Sequence, residues 1–233
     1  MKIEIWSDFA CPFCYIGKRR LEGALQAFPQ RDKVEVVYRS FELDPSMARD
    51  VGMDMYEILA NKYGGGREQA KGMCDNMAEQ AKTVGLDFRF DTLIPTNTFD
   101  AHRLSHLAAA HGKMGEMTER LLHAYFTESK HLGDHAVLAD LAAEAGLDRE
   151  EAVAVLAGDA YSDEVHADED FGQQLGIRGV PFFVFNQKYA VSGAQPTEVF
   201  AEVLQKVWQE EQPLQVLSEG AVCTDDSCDF PAK

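Results

Sequence analysis

The chain has 233 residues, 45% of them hydrophobic and 26% charged, which suits one large globular domain or a domain with an inserted second one and excludes general disorder. A formal net charge of −17 argues against nucleic acid and anionic membrane surfaces as partners, because phosphate contacts need a basic face. No run approaches the roughly 18 apolar residues of a membrane span, and Glu4 and Asp8 interrupt the apolar stretch that a secretory signal requires, so a cytoplasmic location is expected.

In chain order, Ile3 to Trp6 is short and β-prone, and Cys14 to Phe28 carries Ile16, Leu21, Leu25 and Phe28 at near-helical spacing before Pro29 stops it. Between these two elements stands Cys11-Pro12-Phe13-Cys14. A helix N-terminus favours the thiolate, the reactive form of cysteine, so Cys11 is the candidate nucleophile. Cys14, one turn on, is near enough to form a disulfide with it and to act as the resolving thiol. Cytosolic thiols are normally kept reduced, which makes a catalytic or redox-sensing pair a better reading than a structural staple. A four-cysteine zinc site formed with Cys223 and Cys228 is the main competitor. Pro12 suits a helix start rather than a zinc knuckle, and the second pair has C-x4-C spacing, so no metal site is assigned.

Lys33 to Arg39 reads as a second strand, parallel to the first after a helical crossover, completing a βαβ unit by about Phe41. Helical character then dominates: Met53 to Tyr63, Arg67 to Val84, Asp100 to His111, Met114 to Phe126, Ala136 to Ala145, Glu150 to Ala157 and Ser162 to Leu175. Gly64-Gly65-Gly66 separates the first two, and Gly146 and Gly158 suit the left-handed conformation past a helix end. Strands return at Phe182 to Asn186 and Tyr189 to Ser192 around an Asn186-Gln187-Lys188 turn. A last helix spans Thr197 to Trp208, with Pro213 beyond it. The order βαβ, helical block, ββα places the block as an insertion in a split α/β domain. The expected division is 1–45 with 176–208 as one domain, 46–175 as the inserted helical domain with its connecting helix, and 209–233 as an acidic, loosely docked tail.

The motif Cys11-Pro12-Phe13-Cys14 on βαβ, a helical insertion, and Gly179-Val180-Pro181-Phe182-Phe183-Val184 opening ββα resembles the DsbA branch of the thioredoxin superfamily. Within that branch, Phe9 to Gly17, Phe41-Glu42-Leu43-Asp44-Pro45 and Asn97-Thr98-Phe99-Asp100-Ala101-His102-Arg103 look like the FrnE-like oxidoreductases, which are related to 2-hydroxychromene-2-carboxylate isomerases and kappa-class glutathione transferases. The resemblance implies a thioredoxin fold and a thiol–disulfide oxidoreductase or isomerase. Cys11 matches the exposed nucleophile, Cys14 the resolving thiol and Pro181 a cis-proline beside them. Pro12, Phe13, Val180 and Pro181 are the matching substrate-contact positions, Val180 offering backbone groups to an extended peptide. Protein or peptide thiols and disulfides are the implied partners; no cofactor is implied beyond the redox-active disulfide, with glutathione a candidate reductant. Relatives of the isomerase and transferase kind generally present Ser at the position of Cys11, so the dithiol disfavours glutathione-dependent chemistry on a small aromatic substrate. A non-enzymatic redox sensor or client-binding protein is the other alternative.

One departure stands out. Thioredoxin and DsbA carry a buried acid six residues before the nucleophile, where this chain has Ile5. A buried carboxylate serving Cys14 is therefore not expected, and Asp8 is read as a turn or capping residue. The tail pair Cys223 and Cys228 is a candidate second redox pair that could exchange with the central one. Cys74 reads as a core thiol. His102 and His106 are four apart on one helix, but no acid completes a metal-ligand spacing, and His123, His131 and His135 are no better placed. The methionines from Met47 to Met77, with Met114 and Met117, are expected to pack helices, with an adaptable substrate groove as the alternative.

Overall fold

A computed structural model describes residues 1–211 together with the backbone of two short strands, Val222–Cys223 and Cys228–Asp229. Strand β1 (Lys2–Ser7) leads through helix α1 (Pro12–Ala27) to β2 (Glu35–Ser40), which lies parallel to β1 with Ile3 opposite Val36 and Ile5 opposite Tyr38. Lys33 belongs to a 3-10 turn, Arg31–Lys33, rather than to the strand. Seven helices follow: α2 (Met55–Tyr63), α3 (Gly66–Lys82), α4 (Phe99–Ala110), α5 (Met114–Phe126), α6 (His135–Glu144), α7 (Arg149–Ala157) and α8 (Ser162–Gln174). The chain then re-enters the sheet as the hairpin β3 (Phe182–Phe185) and β4 (Tyr189–Ser192) before α9 (Thr197–Glu211). The sheet order is β2-β1-β3-β4, with β3 antiparallel to β1, so the hairpin from late in the chain borders the first strand. Asn186 and Gln187 have φ of 50° and 54°, the pair of positive values that a two-residue hairpin turn uses to match strand twist.

β1 is central and buried on both faces, and the alternation of side chains along it separates two cores. Ile3 and Ile5 join Phe183 and Phe185 against Leu21 and Ala24 of α1 and Phe200 and Leu204 of α9. Ile5 thus occupies a wholly apolar layer. On the other face Trp6 packs with Val184 and Ile177, and its indole Nε1 donates to Asp168 O of α8 at 2.9 Å. Gly172 of α8 is required there, since a Cβ would lie 2.7 Å from Trp6 Nε1. Glu4 shares this face at 2% exposure, and a buried carboxylate needs a partner. Arg39 supplies it, donating also to Asp168 Oδ1 at 2.8 Å, so one guanidinium ties β1, β2 and α8.

A third core fills the helical block, where Leu104, Leu121 and Phe126 pack in one cluster with Phe9 of the turn and with Tyr15 and Ile16 of α1. α1 is therefore covered on two sides, which explains why Cys14 through Lys18 are buried consecutively rather than at helical intervals. Tyr15 and Lys18 both donate to Glu119 of α5, at 2.6 and 2.5 Å. Two helix ends depart from expectation for a visible reason. Gly146 has the left-handed φ of 87°, but Gly158 is extended, with φ −119°, and the carbonyls ending α7 are bonded by Arg103 instead. α9 continues to Glu211, past Trp208, because Glu210 pairs with Lys188 and Glu211 with Asn186 of the hairpin turn. Pro213 lies outside the described residues. The tail includes β5 (Val222–Cys223) and β6 (Cys228–Asp229), paired antiparallel.

Candidate functional site

The cysteine pair is built by the turn that links β1 to α1. Asp8 shapes it: its Oδ1 accepts from Ala10 N at 3.2 Å and its carbonyl from Cys11 N at 3.1 Å. Cys11 is the N-cap of α1 in extended conformation, and Pro12 occupies the first turn, where its missing N–H is no loss. Cys14 N then closes back on Cys11 O at 3.0 Å. Both thiols are free. Cys11 Sγ points to Val180 O at 3.6 Å, and the Val180–Pro181 bond is cis. Gly17 allows this approach, as a Cβ there would meet Pro181 Cγ and Phe183 Cζ at 3.1 Å. Four of the six central candidates, Cys11, Cys14, Val180 and Pro181, thus converge; Pro12 and Phe13 line a cavity that also reaches Cys11, and Val180 and Pro181 line a separate hollow.

Cys11 is not an exposed thiol: it is only 4% accessible, against 3% for Cys14. Its side chain is covered by the insertion and by the Val180 loop, and it opens onto a cavity of about 310 Å³. Met47, Met55, Met73 and Met77 line that cavity with Phe13, so the groove alternative describes these methionines, whereas Met117 is fully buried in the helical core. Leu43 and Tyr63 also line it, at 43% and 57% exposure, leaving an apolar rim.

Asp8 is the turn residue expected, and three residues beyond Ile5 it brings a buried carboxylate to this turn; what it offers Cys14 is its backbone N–H rather than its side chain. Asp8 is 1% exposed, its backbone N–H donates to Cys14 Sγ at 3.5 Å, and its Oδ2 accepts from Leu43 N at 2.7 Å. Thr98 Oγ1 donates to Oδ1 at 2.7 Å, and His102 Nε2 lies 3.4 Å from the same oxygen. Burial pushes this carboxyl up, yet His102, the Leu43 N–H and the Thr98 hydroxyl together hold it below the usual range. Burial pushes the Cys14 thiol well up, and the neighbouring Cys11 sulfur adds to this, so Cys14 is the member of the pair held protonated.

The segment Asn97 to Arg103, which in sequence stands out only by its resemblance, is what holds Asp8. Asn97 accepts from Phe99 N at 2.9 Å and donates to Glu42 at 3.0 Å, placing Thr98 and His102 against the turn. Sequence alone does not mark His102 and Thr98 as site residues, because their partner is about ninety positions away. His106 bonds Ser40 at 3.1 Å and lies 3.2 Å from Asp168. His135 pairs with Asp100, and His123 and His131 lie near Glu128 and Arg49. Among the described residues no cluster of three or more His, Cys, Asp or Glu side chains is placed to hold a metal ion. Cys74 is a buried, unbridged thiol of α3 whose pKa burial pushes up to about 11. The side chains of Cys223 and Cys228 lie outside the described residues, though their backbones are directly opposite in the β5–β6 ladder.

Comparison with known proteins places these features in a family. The family model described as a DSBA-like thioredoxin domain matches residues 2–205. A solved probable DsbA oxidoreductase from Streptomyces coelicolor is 47% identical, each chain covered in full, with a TM-score of 0.87. An uncharacterised Bacillus subtilis protein, YwbO, is 28% identical over 87% of this chain and 94% of its own length. A solved 2-hydroxychromene-2-carboxylate isomerase shares the fold at 13% identity and a TM-score of 0.67, covering 90% of this chain and 97% of its own.

Proposed function

The chain belongs to the DSBA-like thioredoxin domain family, and from that premise we propose that it is a thiol–disulfide oxidoreductase acting through Cys11 and Cys14. The observation that carries the reading is the asymmetry of the pair. Cys11 caps α1 and opens onto the cavity, while Cys14 sits behind it, buried and held protonated. In the reducing direction the Cys11 thiolate attacks a client disulfide and one client sulfur leaves. Cys14 then attacks Cys11 of the mixed disulfide, releasing the second client sulfur and closing Cys11–Cys14. Glutathione is the small thiol we propose to restore the dithiol. The isomerase or transferase alternative needs no second sulfur behind the nucleophile, and Cys14 disfavours it.

Catalysed reduction of insulin disulfides by the wild-type protein, with a measurable Cys11–Cys14 couple against glutathione, is the expected result. Glutathione-dependent turnover of an aromatic substrate with no disulfide exchange would replace this reading by the alternative.

The methionine-lined cavity supports a client that brings an apolar segment to Cys11, since flexible thioethers repack around varied apolar shapes. Met73→Asp puts a charge in this wall. It is expected to raise KM for a peptide disulfide with apolar flanks by about tenfold, roughly the free energy of burying one apolar side chain, while leaving exchange with oxidised glutathione near wild type. Equal losses on both substrates would remove the cavity from the reading.

We also propose Cys223 and Cys228 as a second redox pair. Direct antiparallel partners stand about 4.5–5.5 Å apart at Cα, within the span that a disulfide bridges. A variant ending before Cys223 is expected to change its exchange rate several-fold, and partly oxidised full-length protein should yield a Cys11–Cys223 or Cys11–Cys228 crosslink in mass spectra. Unchanged kinetics with no crosslink would make the tail pair passive.

A further inference from the structure

The resolving step poses a chemical problem that the pair itself does not solve. Cys14 must lose its proton to attack the mixed disulfide, and once Cys11 is bonded to a client it is no longer a thiolate that could accept it. Asp8 is a poor acceptor for that proton, because its oxygens already accept from Ala10 N, Leu43 N and Thr98 Oγ1 and it is held in its charged form.

Between Ser7 at the end of β1 and His102 of α4 lies a second, small cavity of about 10 Å³, close to the volume that one water needs. Ser7, Ser40, His102, Ser105 and Thr118 bring polar side chains to its wall. Two of these stand out. His102 Nε2 and Thr118 Oγ1 are buried without a hydrogen-bond partner, in residues 3% and 0% exposed; His102 Nε2 is near Asp8 Oδ1, but not aligned for a hydrogen bond. Buried polar groups are normally satisfied, by ordered water where no side chain reaches. The Ser7 side chain is the link to the thiol, since Ser7 lines this cavity and faces Cys14 closely enough to favour its thiolate form. On the far side, Ser40 Oγ is bonded to His106 Nε2, and His106 is 13% exposed, giving a route toward solvent.

We propose that His102 is the proton acceptor for Cys14, reached through the Ser7 hydroxyl and one water held in this cavity by His102 and Thr118, with Asp8 as the counter-charge that positions the imidazole. The proposal rests on the dithiol reading of Cys11 and Cys14. As the Cys14 sulfur forms its bond to Cys11, the Cys11–client S–S bond breaks and its electron pair leaves on the client sulfur. The Cys14 proton passes by way of Ser7 and the water to the imidazole, and the client thiolate takes its own proton from solvent. The groups that set the charge here come from several elements: Cys11 and Asp8 near Cys14, Tyr38 of β2 facing it, Arg39 of β2 in the wall of the small cavity, and Asp8 and Glu42 facing His102.

Ellman's reagent separates the two chemical steps in a full-length protein carrying Cys74→Ala, Cys223→Ser and Cys228→Ser, in which Cys11 and Cys14 are the remaining thiols. Attack by Cys11 releases one equivalent of thionitrobenzoate and leaves the other on Cys11; attack by Cys14 then releases the second and closes the disulfide. His102→Gln, which keeps polarity and approximate size but not the titrating ring, is expected to leave the first phase unchanged. It should slow the second at least tenfold at pH 7 and move its pH profile toward alkaline values. Thr118→Val, nearly isosteric, is expected to slow the second phase several-fold and to lower thermal stability by removing a partner of the water. Should His102→Gln fail to fold, Thr118→Val and Ser7→Ala carry the test. An unchanged second phase in a folded His102→Gln variant overturns the relay, as does a Thr118→Val protein that is more stable than wild type with unaltered kinetics, the signature of a dry cavity. A parent protein, with Ser7, His102 and Thr118 in place, that never releases the second equivalent would instead overturn the dithiol reading itself.

Discussion

Replacing Cys11 with serine is expected to abolish disulfide exchange, lowering the insulin-reduction rate on the order of a thousandfold or more, while Cys14→Ser is expected to accumulate a stable mixed disulfide. The two outcomes differ because the sulfurs stand in different surroundings. Cys11 caps α1, borders the large cavity and meets the Val180 carbonyl, so an entering disulfide reaches it first. Serine in its place offers a hydroxyl far too weakly acidic to attack a disulfide. Cys14 lies behind, bonded by Asp8 N–H, with its proton held by burial. Without it, attack by Cys11 proceeds and nothing displaces the client. Mass spectrometry of Cys14→Ser after incubation with a peptide disulfide should show one adduct, located at Cys11. Wild-type turnover by Cys11→Ser, or an adduct on Cys14 in a Cys11→Ser protein, would reverse the assignment.

The parts of this arrangement that are local in sequence are readable from it. The strand, the C-P-F-C turn and α1 announce themselves by apolar spacing, a proline that suits a helix start, and Pro29 beyond the end. The return of β character at Phe182 and the turn at Asn186 and Gln187 are equally local. What cannot be read is where chain segments far apart meet. Asp8 looks like a turn residue, and it is one; its burial follows from Leu43 and Thr98 closing over it, contacts spanning 35 and 90 positions. The comparison at Ile5 holds for the strand's apolar face, and it leaves unseen the buried carboxylate that the loop after the strand brings to the turn. Cys11 likewise looks exposed at a helix start until the insertion covers it. The end of α7 shows the same limit: Gly158 offers a glycine stop, but a side chain from α4 supplies the bonds.

That side chain, Arg103, carries the largest expected effect on stability. It is 4% exposed and uses its whole fork: Nε donates to Ala160 O at 2.9 Å, Nη2 to Val155 O and Gly158 O at 2.5 and 2.6 Å, and Nη1 to Asp100 at 2.7 Å. The carbonyls that end a helix have no partners within it, and a cation there also meets the negative end of the helix dipole. Arg103→Met keeps the length and apolar stem but removes every donor. It leaves three carbonyls without these bonds and Asp100 with His135 as its remaining partner. Breaking a buried charged network in this way costs about 3–5 kcal/mol, which for a chain of this size lowers Tm by roughly 10 °C. Arg103→Lys should recover only part of the loss, since an ammonium cannot span carbonyls arranged for a planar fork. The measurement is thermal unfolding of the three proteins side by side, with Ellman's titration of the folded variants to show Cys11 and Cys14 still reactive. Because Arg103 follows His102 on α4, a loosened α7 is also expected to broaden the placement of His102 against Asp8. A Tm for Arg103→Met within about 2 °C of wild type would mean that water replaces these bonds and that Arg103 contributes little to holding α4 on α7.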